Sequence, residues 1–423
     1  MSHAVTRLAN VERATASRAT EFAPPAGRSL AHVLALGAVW LTFAASGVVF
    51  SEPAPVDVLM AGLVILLPTI GLVRFTPLLM TYGALWLVAA AGAYLAATLS
   101  LDAGRSAMHT SVSLFLYLGS FIIAGFVALR PETHVRLIYS GWTFAAVLAA
   151  GLGLIGYMNA LPGSYDLFTR FGRVAGTFKD PNVFGPFLVV PFLVCLGHMI
   201  ANRGWAGLGS LLGAGFFGVA ILLCFSRGAW FNLAVAVVLF VWLSFVTSRS
   251  AAERARILFL TAAGLAAVAA AIAVVVQFEA VSRLLAERAS LTQSYDVGPD
   301  VRFGGQMLAL ELALSHPLGI GAQVFSPFHH HEEVHNVYLS ILLNAGWLGG
   351  GVYWIMVALT AVLGLRHAFI GPAAHRPLLL IAYAAFIATA IEGLIIDSDH
   401  WRSFYVQMAI VWGLLAADPR RTG

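Results

Sequence analysis

The sequence predicts an all-α, polytopic integral membrane protein with about twelve transmembrane helices and one long polar loop set between two of them. Three observations carry this prediction. Of 423 residues, 60% are hydrophobic and only 10% are charged, whereas soluble domains carry about 25% charged residues. Apolar runs of roughly 20 residues, the length that a bilayer core demands, recur along the whole chain. Finally, the basic residues between these runs alternate from loop to loop.

The apolar runs place helices near 30–50, 55–73, 76–98, 110–129, 137–157, 183–200, 205–224, 229–247, 256–278, 336–364, 377–396 and 402–417. The 41 glycines suit close helix packing in lipid. Length alone would suggest two or three soluble domains, but this pattern makes residues 30–418 one membrane domain. Residues 279–335 form the polar loop inserted in it. Residues 1–29 are polar, carry four Arg and lack a short apolar run before a small-residue cleavage site, so they predict a flexible cytoplasmic tail and no cleaved signal peptide.

One set of loops holds Arg7, Arg13, Arg18, Arg28, Arg74, Arg130, Arg136, Arg203, Arg249, Arg254, Arg256, Arg366, Arg376, Arg420 and Arg421, fifteen of the 24 basic residues. The positive-inside rule assigns this set to the cytoplasm, with both termini inside. The net charge of +4 does not imply a nucleic-acid partner, because these residues sit in short loops. Cys195 and Cys224 lie in apolar runs, which argues against a structural disulfide.

The other nine basic residues fall on the outer side: Arg105, Arg170, Arg173, Lys179, Arg227, Arg283, Arg288, Arg302 and Arg402. Arg283 has a bland reading, as an i,i+4 partner of Glu287 on an amphipathic stretch at the membrane surface. The others, clustered beside apolar walls, suit an anion, and the guanidinium fork matches phosphate oxygens.

Four outer segments hold candidate chemistry. Residues 170–182 contain Arg170, Arg173 and the chain's one lysine, Lys179, before a helix start. Asn182 is expected to cap that helix, with Asp180 as an alternative and Pro181 in the first turn. Ser226-Arg227-Gly228 joins two spans, where an Arg needs a partner or must snorkel. Arg302 begins a segment whose apolar residues predict a short surface helix, followed by a turn at Gly319 and Gly321; His316 before Pro317 is expected to be structural.

His331-Glu332-Glu333-Val334-His335 spells H-E-x-x-H, which binds zinc only when a helix puts both His on one face. Here the stretch lies in a polar loop after Pro327, so no metal or other cofactor is expected. His335 at a helix mouth is instead a candidate general base. In the last outer loop Asp397, Asp399 and His400 have no assigned role. An Asp there could orient a catalytic His or bind sugar hydroxyls, and the bland alternative pairs Asp399 with Arg402 at the surface.

In this order these pieces resemble the bacterial O-antigen ligase and polymerase superfamily. The matching pieces are Gly176-Thr177-Phe178 with Pro181-Asn182, Ser226-Arg227-Gly228, Arg302 upstream of His316-Pro317-Leu318-Gly319-Ile320-Gly321, and His335-Asn336-Val337-Tyr338 with Gly346-Trp347-Leu348-Gly349. They cover roughly residues 170–350, and the span count agrees over the whole chain. The resemblance implies a metal-independent, inverting glycosyltransferase of the bacterial inner membrane with a periplasmic active site. Its donor would be a glycan on undecaprenyl diphosphate. Its acceptor would be the lipid A core for a ligase, or another lipid-linked repeat for a polymerase. Carried over residue by residue, Arg227 and Arg302 become diphosphate ligands and His335 the base or acceptor-positioning residue. Arg173, Lys179 and Asn336 are further candidates for substrate contact.

Two other classes compete. A transporter also commonly has twelve spans, but it places charges mid-helix and pairs broken helices; the candidates here lie at span ends. A zinc-dependent membrane protease would need the H-E-x-x-H stretch to be helical.

Overall fold

A computed structural model describes residues 30–275, 277 and 302–418. Residues 279–301 of the polar loop, with Arg283 and Arg288, lie outside the described residues, as does the side chain of Arg302. By its contacts the chain divides into residues 1–37 and residues 38–423. The first unit is described from Leu30, where the first helix starts; the packing and the sites discussed below belong to the second.

The described elements are helical apart from one two-stranded ribbon. In chain order they are α1 (Leu30–Ala44), α2 (Pro55–Thr69), α3 (Pro77–Thr98), α4 (Ala103–Leu129), α5 (Pro131–Tyr157), α6 (Ser164–Phe168), β1 (Thr169–Arg170) and β2 (Arg173–Val174). There follow α7 (Pro181–Phe187), α8 (Val189–Ala201), α9 (Gly204–Leu223), α10 (Arg227–Thr247), α11 (Ala251–Val275), α12 (Arg302–Ser315), α13 (Phe325–Phe328), α14 (Val337–Ile370), α15 (Arg376–Glu392) and α16 (Arg402–Ala416).

Each predicted apolar run contains helix, and the fold is all-α as expected. Among the described residues, seven helices are long and apolar enough to cross a membrane, counting α7 and α8 as one; the others in the set are α3, α4, α5, α9, α10 and α14. Helices α1 and α2 are apolar but have 15 residues each.

Local chemistry sets the helix starts. Thr76 caps α3 by accepting from Leu79 N at 3.3 Å, and Pro77 occupies the first helical position, where no N–H is needed. Asp102 caps α4 through Arg105 N at 3.0 Å. The predicted span at 183–200 is two helices meeting at Leu188. Pro191 has no N–H to offer the carbonyl of Phe187, four residues back. The Trp142 indole Nε1 donates to that oxygen instead, at 3.1 Å, so the Phe187 carbonyl keeps a partner in the bundle.

The buried centre is aromatic. Trp86 of α3 stacks on Tyr117 of α4 with ring centroids 4.2 Å apart, and Tyr405 of α16 meets both edge-on or tilted. Two hydrogen bonds cross this core: Ser120 Oγ donates to Tyr405 O at 2.8 Å, and Trp412 Nε1 donates to Thr360 Oγ1, also at 2.8 Å. Helices α3 and α14 pack closely, because a Cβ on Gly92 would sit 2.6 Å from the Gly349 nitrogen.

Helix α14 continues past the predicted end at 364 and is broken at Gly346, whose φ is 67° and ψ −179°. The turn at 316–321 fills the break. Trp347 N donates to Pro317 O at 2.9 Å, and Ile320 N donates to Leu343 O at 2.9 Å. The turn predicted at Gly319 and Gly321 is present, with φ of 82° and 85°. His316 serves the end of α12, as expected for a structural residue: its Nδ1 lies 3.0 Å from Leu312 O.

Candidate functional site

The loops assigned to one side from charge alone meet at one end of the bundle. The ribbon places Arg173 so that its Nε donates to Cys224 O at 2.7 Å and its Nη2 donates to Asn182 Oδ1 at 2.7 Å. Arg173 therefore ties the 170–182 loop to the turn that carries Ser226-Arg227-Gly228. Asn182 is not the helix cap: Asp180 takes that role, its Oδ1 accepting from Asn182 N at 2.8 Å, which frees the Asn182 amide for Arg173.

Ser226 caps α10, and Arg227 is that helix's first residue, half-buried. Against this turn lies Glu392, the last residue of α15, fully buried at 0% exposure. A Cβ on Gly228 would come within 2.5 Å of Glu392 Oε1, so the carboxyl packs directly against this glycine. Asn232 Nδ2 donates to the other carboxyl oxygen at 2.7 Å.

The next residue, Gly393, accepts from Val337 N at 2.8 Å, and Tyr338 donates to Ala390 O at 2.6 Å. The end of α15 thus joins the Arg227 turn to the start of α14, where His335 stands. His335 has a φ of 53°, a left-handed conformation that a residue with a Cβ rarely adopts. Three contacts hold it there. Its N–H donates to Asp397 Oδ2 at 2.8 Å, its carbonyl accepts from Gln306 Nε2 at 3.3 Å, and Asn336 beyond it caps α14 through Leu339 N at 3.2 Å.

Asp397 also accepts from Ser340 Oγ. The His335 ring Nδ1 lies 3.8 Å from Asp397 Oδ2, too far for a hydrogen bond and near enough for Coulomb attraction once the ring is protonated. Asp397 therefore fixes the backbone of His335 and places a carboxylate beside its ring. Burial, with the nearby Asp399 charge second, pushes the Asp397 carboxyl up from its ordinary value, against the hydrogen bond from Ser340. Glu333 is pushed up by burial and then by Asp397 and Asp399.

Other sequence expectations resolve differently. Lys179 makes an ion pair with Glu52 at 2.9 Å, both side chains about half-exposed. Arg170 donates to the carbonyl of Asp166 at 2.8 Å. Arg402 does not pair with Asp399: it makes a bidentate bond to Asp57, with Nε–Oδ1 at 2.6 Å and Nη2–Oδ2 at 2.7 Å. The cause is tertiary, because α2 brings Asp57 beside the start of α16, with two oxygens matched to the guanidinium fork.

Asp399 instead faces His109 of α4, with Oδ2 3.4 Å from Nε2. His109, Asp399 and His400 bring their possible ligand atoms within 4.8 Å of one another. The two rings are stacked, however, with centroids 4.0 Å apart and planes 21° from parallel. A metal must lie in the plane of each imidazole that binds it, and planes so nearly parallel do not meet at a bonding distance of about 2.0 Å. This is the geometry of a stacked pair, whose His400 Nε2 is hydrogen-bonded to Ser113 Oγ at 2.9 Å. The H-E-x-x-H stretch is not helical, so His331 and His335 do not share a helix face.

Glu392, Ser340 and His109 were not singled out in the sequence. For Glu392 a signal existed: it is an acid inside a predicted span, and such a residue needs a partner.

Residues 212–354 match the family model described as O-antigen ligase. The matched segment contains the Arg227 turn, α12 and the His335 turn. No curated protein matches the chain. The match makes this segment, about a third of the chain, similar to the O-antigen ligase family.

Proposed function

We propose that the protein moves a glycan from undecaprenyl diphosphate to an acceptor hydroxyl at the periplasmic face of the bacterial inner membrane. The acceptor proposed first is the lipid A core, which makes the protein an O-antigen ligase. The observation that carries the proposal is the clamped His335 beside Asp397, joined through Glu392 and Gly393 to the turn that bears Arg227.

In this mechanism His335 takes the proton of the acceptor hydroxyl as its oxygen attacks the anomeric carbon. The imidazolium that forms is stabilised by the Asp397 carboxylate 3.8 Å away. The bond from the anomeric carbon to the diphosphate oxygen breaks, and its electron pair leaves with the lipid diphosphate. Arg227 and Arg302 stabilise the charge growing there, with Arg173 behind the Arg227 turn. Displacement from the opposite face inverts the anomeric configuration and uses no metal. The lipid tail lies among the apolar helices, and the positive-inside bias keeps the site outside and both termini in the cytoplasm.

Deletion of the gene followed by a gel of surface glycans tests the assignment. Loss of long-chain lipopolysaccharide with accumulating lipid-linked polymer is the ligase result. A core bearing one repeat would make the protein a polymerase, as would loss of a secreted polysaccharide. Arg227→Ala is expected to weaken undecaprenyl diphosphate binding to the purified protein by about tenfold or more, the loss of one strong charged hydrogen bond. Unchanged binding would remove Arg227 from the donor site.

A further inference from the structure

At the opposite end of the bundle, among the loops richest in arginine, lies a cavity of about 360 Å³. Its walls come from the end of α8, the start of α9 and the start of α11. Arg203 and Arg256 both line it, and no acidic residue does. Arg256 Nη2 donates to the carbonyls of Met199 and Asn202, and no described residue takes its Nε or Nη1. Arg203 has no described partner. Two guanidiniums facing one cavity without a carboxylate repel each other, and an anion between them relieves that repulsion.

The polarity of the walls is graded. The arginines and the uncapped N-terminus of the 20-residue helix α9 stand at one level. Leu208 and Leu211 of α9, with Phe259 and Leu260 of α11, line the cavity one to two turns further along their helices. Leu208, Leu211 and Phe259 are exposed. Trp205 is 88% exposed at the level of the arginines, where indoles anchor at the headgroup layer. A free inorganic anion would use the arginines and leave the apolar walls bare. A phospholipid uses both, with its phosphate at the helix starts and its chains along the leucines.

We infer that this cavity is a binding site for one anionic phospholipid, held through its phosphate by Arg203 and Arg256. Basic pockets between membrane helices on the cytoplasmic side suit such headgroups, and the site is independent of the transfer chemistry at the other end.

The test is native mass spectrometry of the purified protein released from nanodiscs of phosphatidylcholine mixed with phosphatidylglycerol. One retained phosphatidylglycerol per chain is expected, with its retention reduced about fivefold in Arg203→Gln and further in Arg203→Gln/Arg256→Gln. Arg203→Gln removes no described contact, so its fold is expected to persist even if the double variant is unstable. Equal retention of phosphatidylglycerol and phosphatidylcholine, or no change in Arg203→Gln, would overturn the inference. Displacement of the lipid by millimolar inorganic phosphate would show a free-anion site instead, and would overturn it as well.

Discussion

His335→Ala is expected to lower glycan transfer by a factor of about 10² to 10⁴, the usual contribution of a positioned general base, while protein level in the membrane is kept. The side chain is 39% exposed, so its removal opens no buried cavity, and the contacts that hold the turn run through the His335 backbone. Loss of transfer with normal expression would therefore report chemistry and not folding. Transfer within twofold of the parent would end the base role. Asp397→Asn is the companion experiment. It keeps an oxygen for the His335 N–H but removes the charge beside the ring, so a smaller loss is expected.

The pH dependence supplies a separate readout. Burial and Asp399 raise the Asp397 carboxyl, so the folded protein holds that proton more tightly than the unfolded chain does. A raised acid subtracts stability as pH climbs past its unfolded value, and the group is protonated over a wider acidic range. As pH falls, its protonation removes the charge that supports the imidazolium. The acid limb of the transfer rate is expected above the ordinary Asp value of about 3.9, and Asp397→Asn should lack the part of that limb due to this group. An unchanged limb in the variant would assign it elsewhere.

Gly346→Ala is expected to cost about 2–5 kcal/mol, from backbone strain and overpacking together. At φ 67° and ψ −179° the backbone lies in a region that only glycine occupies readily. A Cβ there would also meet Leu318 C at 2.6 Å, Leu318 O at 2.7 Å and Pro317 O at 2.9 Å. These are backbone atoms of the turn that fills the break in α14, and they cannot swing aside as a side-chain tip can. The measurement is thermal unfolding in detergent, with Gly351→Ala as control. Gly351 lies in the same helix, and a Cβ on it would meet nothing within 4 Å. A melting temperature for Gly346→Ala equal to that of the control would refute the close fit. The same geometry explains why Gly319 and Gly346 stand in two of the segments that carried the resemblance: a Cβ on Gly319 would lie 2.6 Å from Gly346 N.

The helical class, the positions of the apolar runs and the grouping of loops by charge were legible because each depends on short-range properties. Hydrophobic length marks a membrane helix wherever it occurs. His335 and Arg227 stood out in the sequence as a titratable and a charged group at helix ends.

Partner choice was decided by tertiary structure. Arg402 passed over Asp399, three residues away, for Asp57 in α2. Asn182 left its expected cap to Asp180 and took Arg173. Lys179 turned to Glu52. A hydrogen bond or ion pair forms where the packed backbone sets two groups at about 2.7–3 Å in the right direction, and that proximity comes from helices distant in sequence. The sequence by itself therefore determined a helical membrane protein with its polar chemistry gathered at helix ends. The packing of α4, α10, α14 and α15 against one another decided which of those groups face each other, because a side chain's partner depends on position in space.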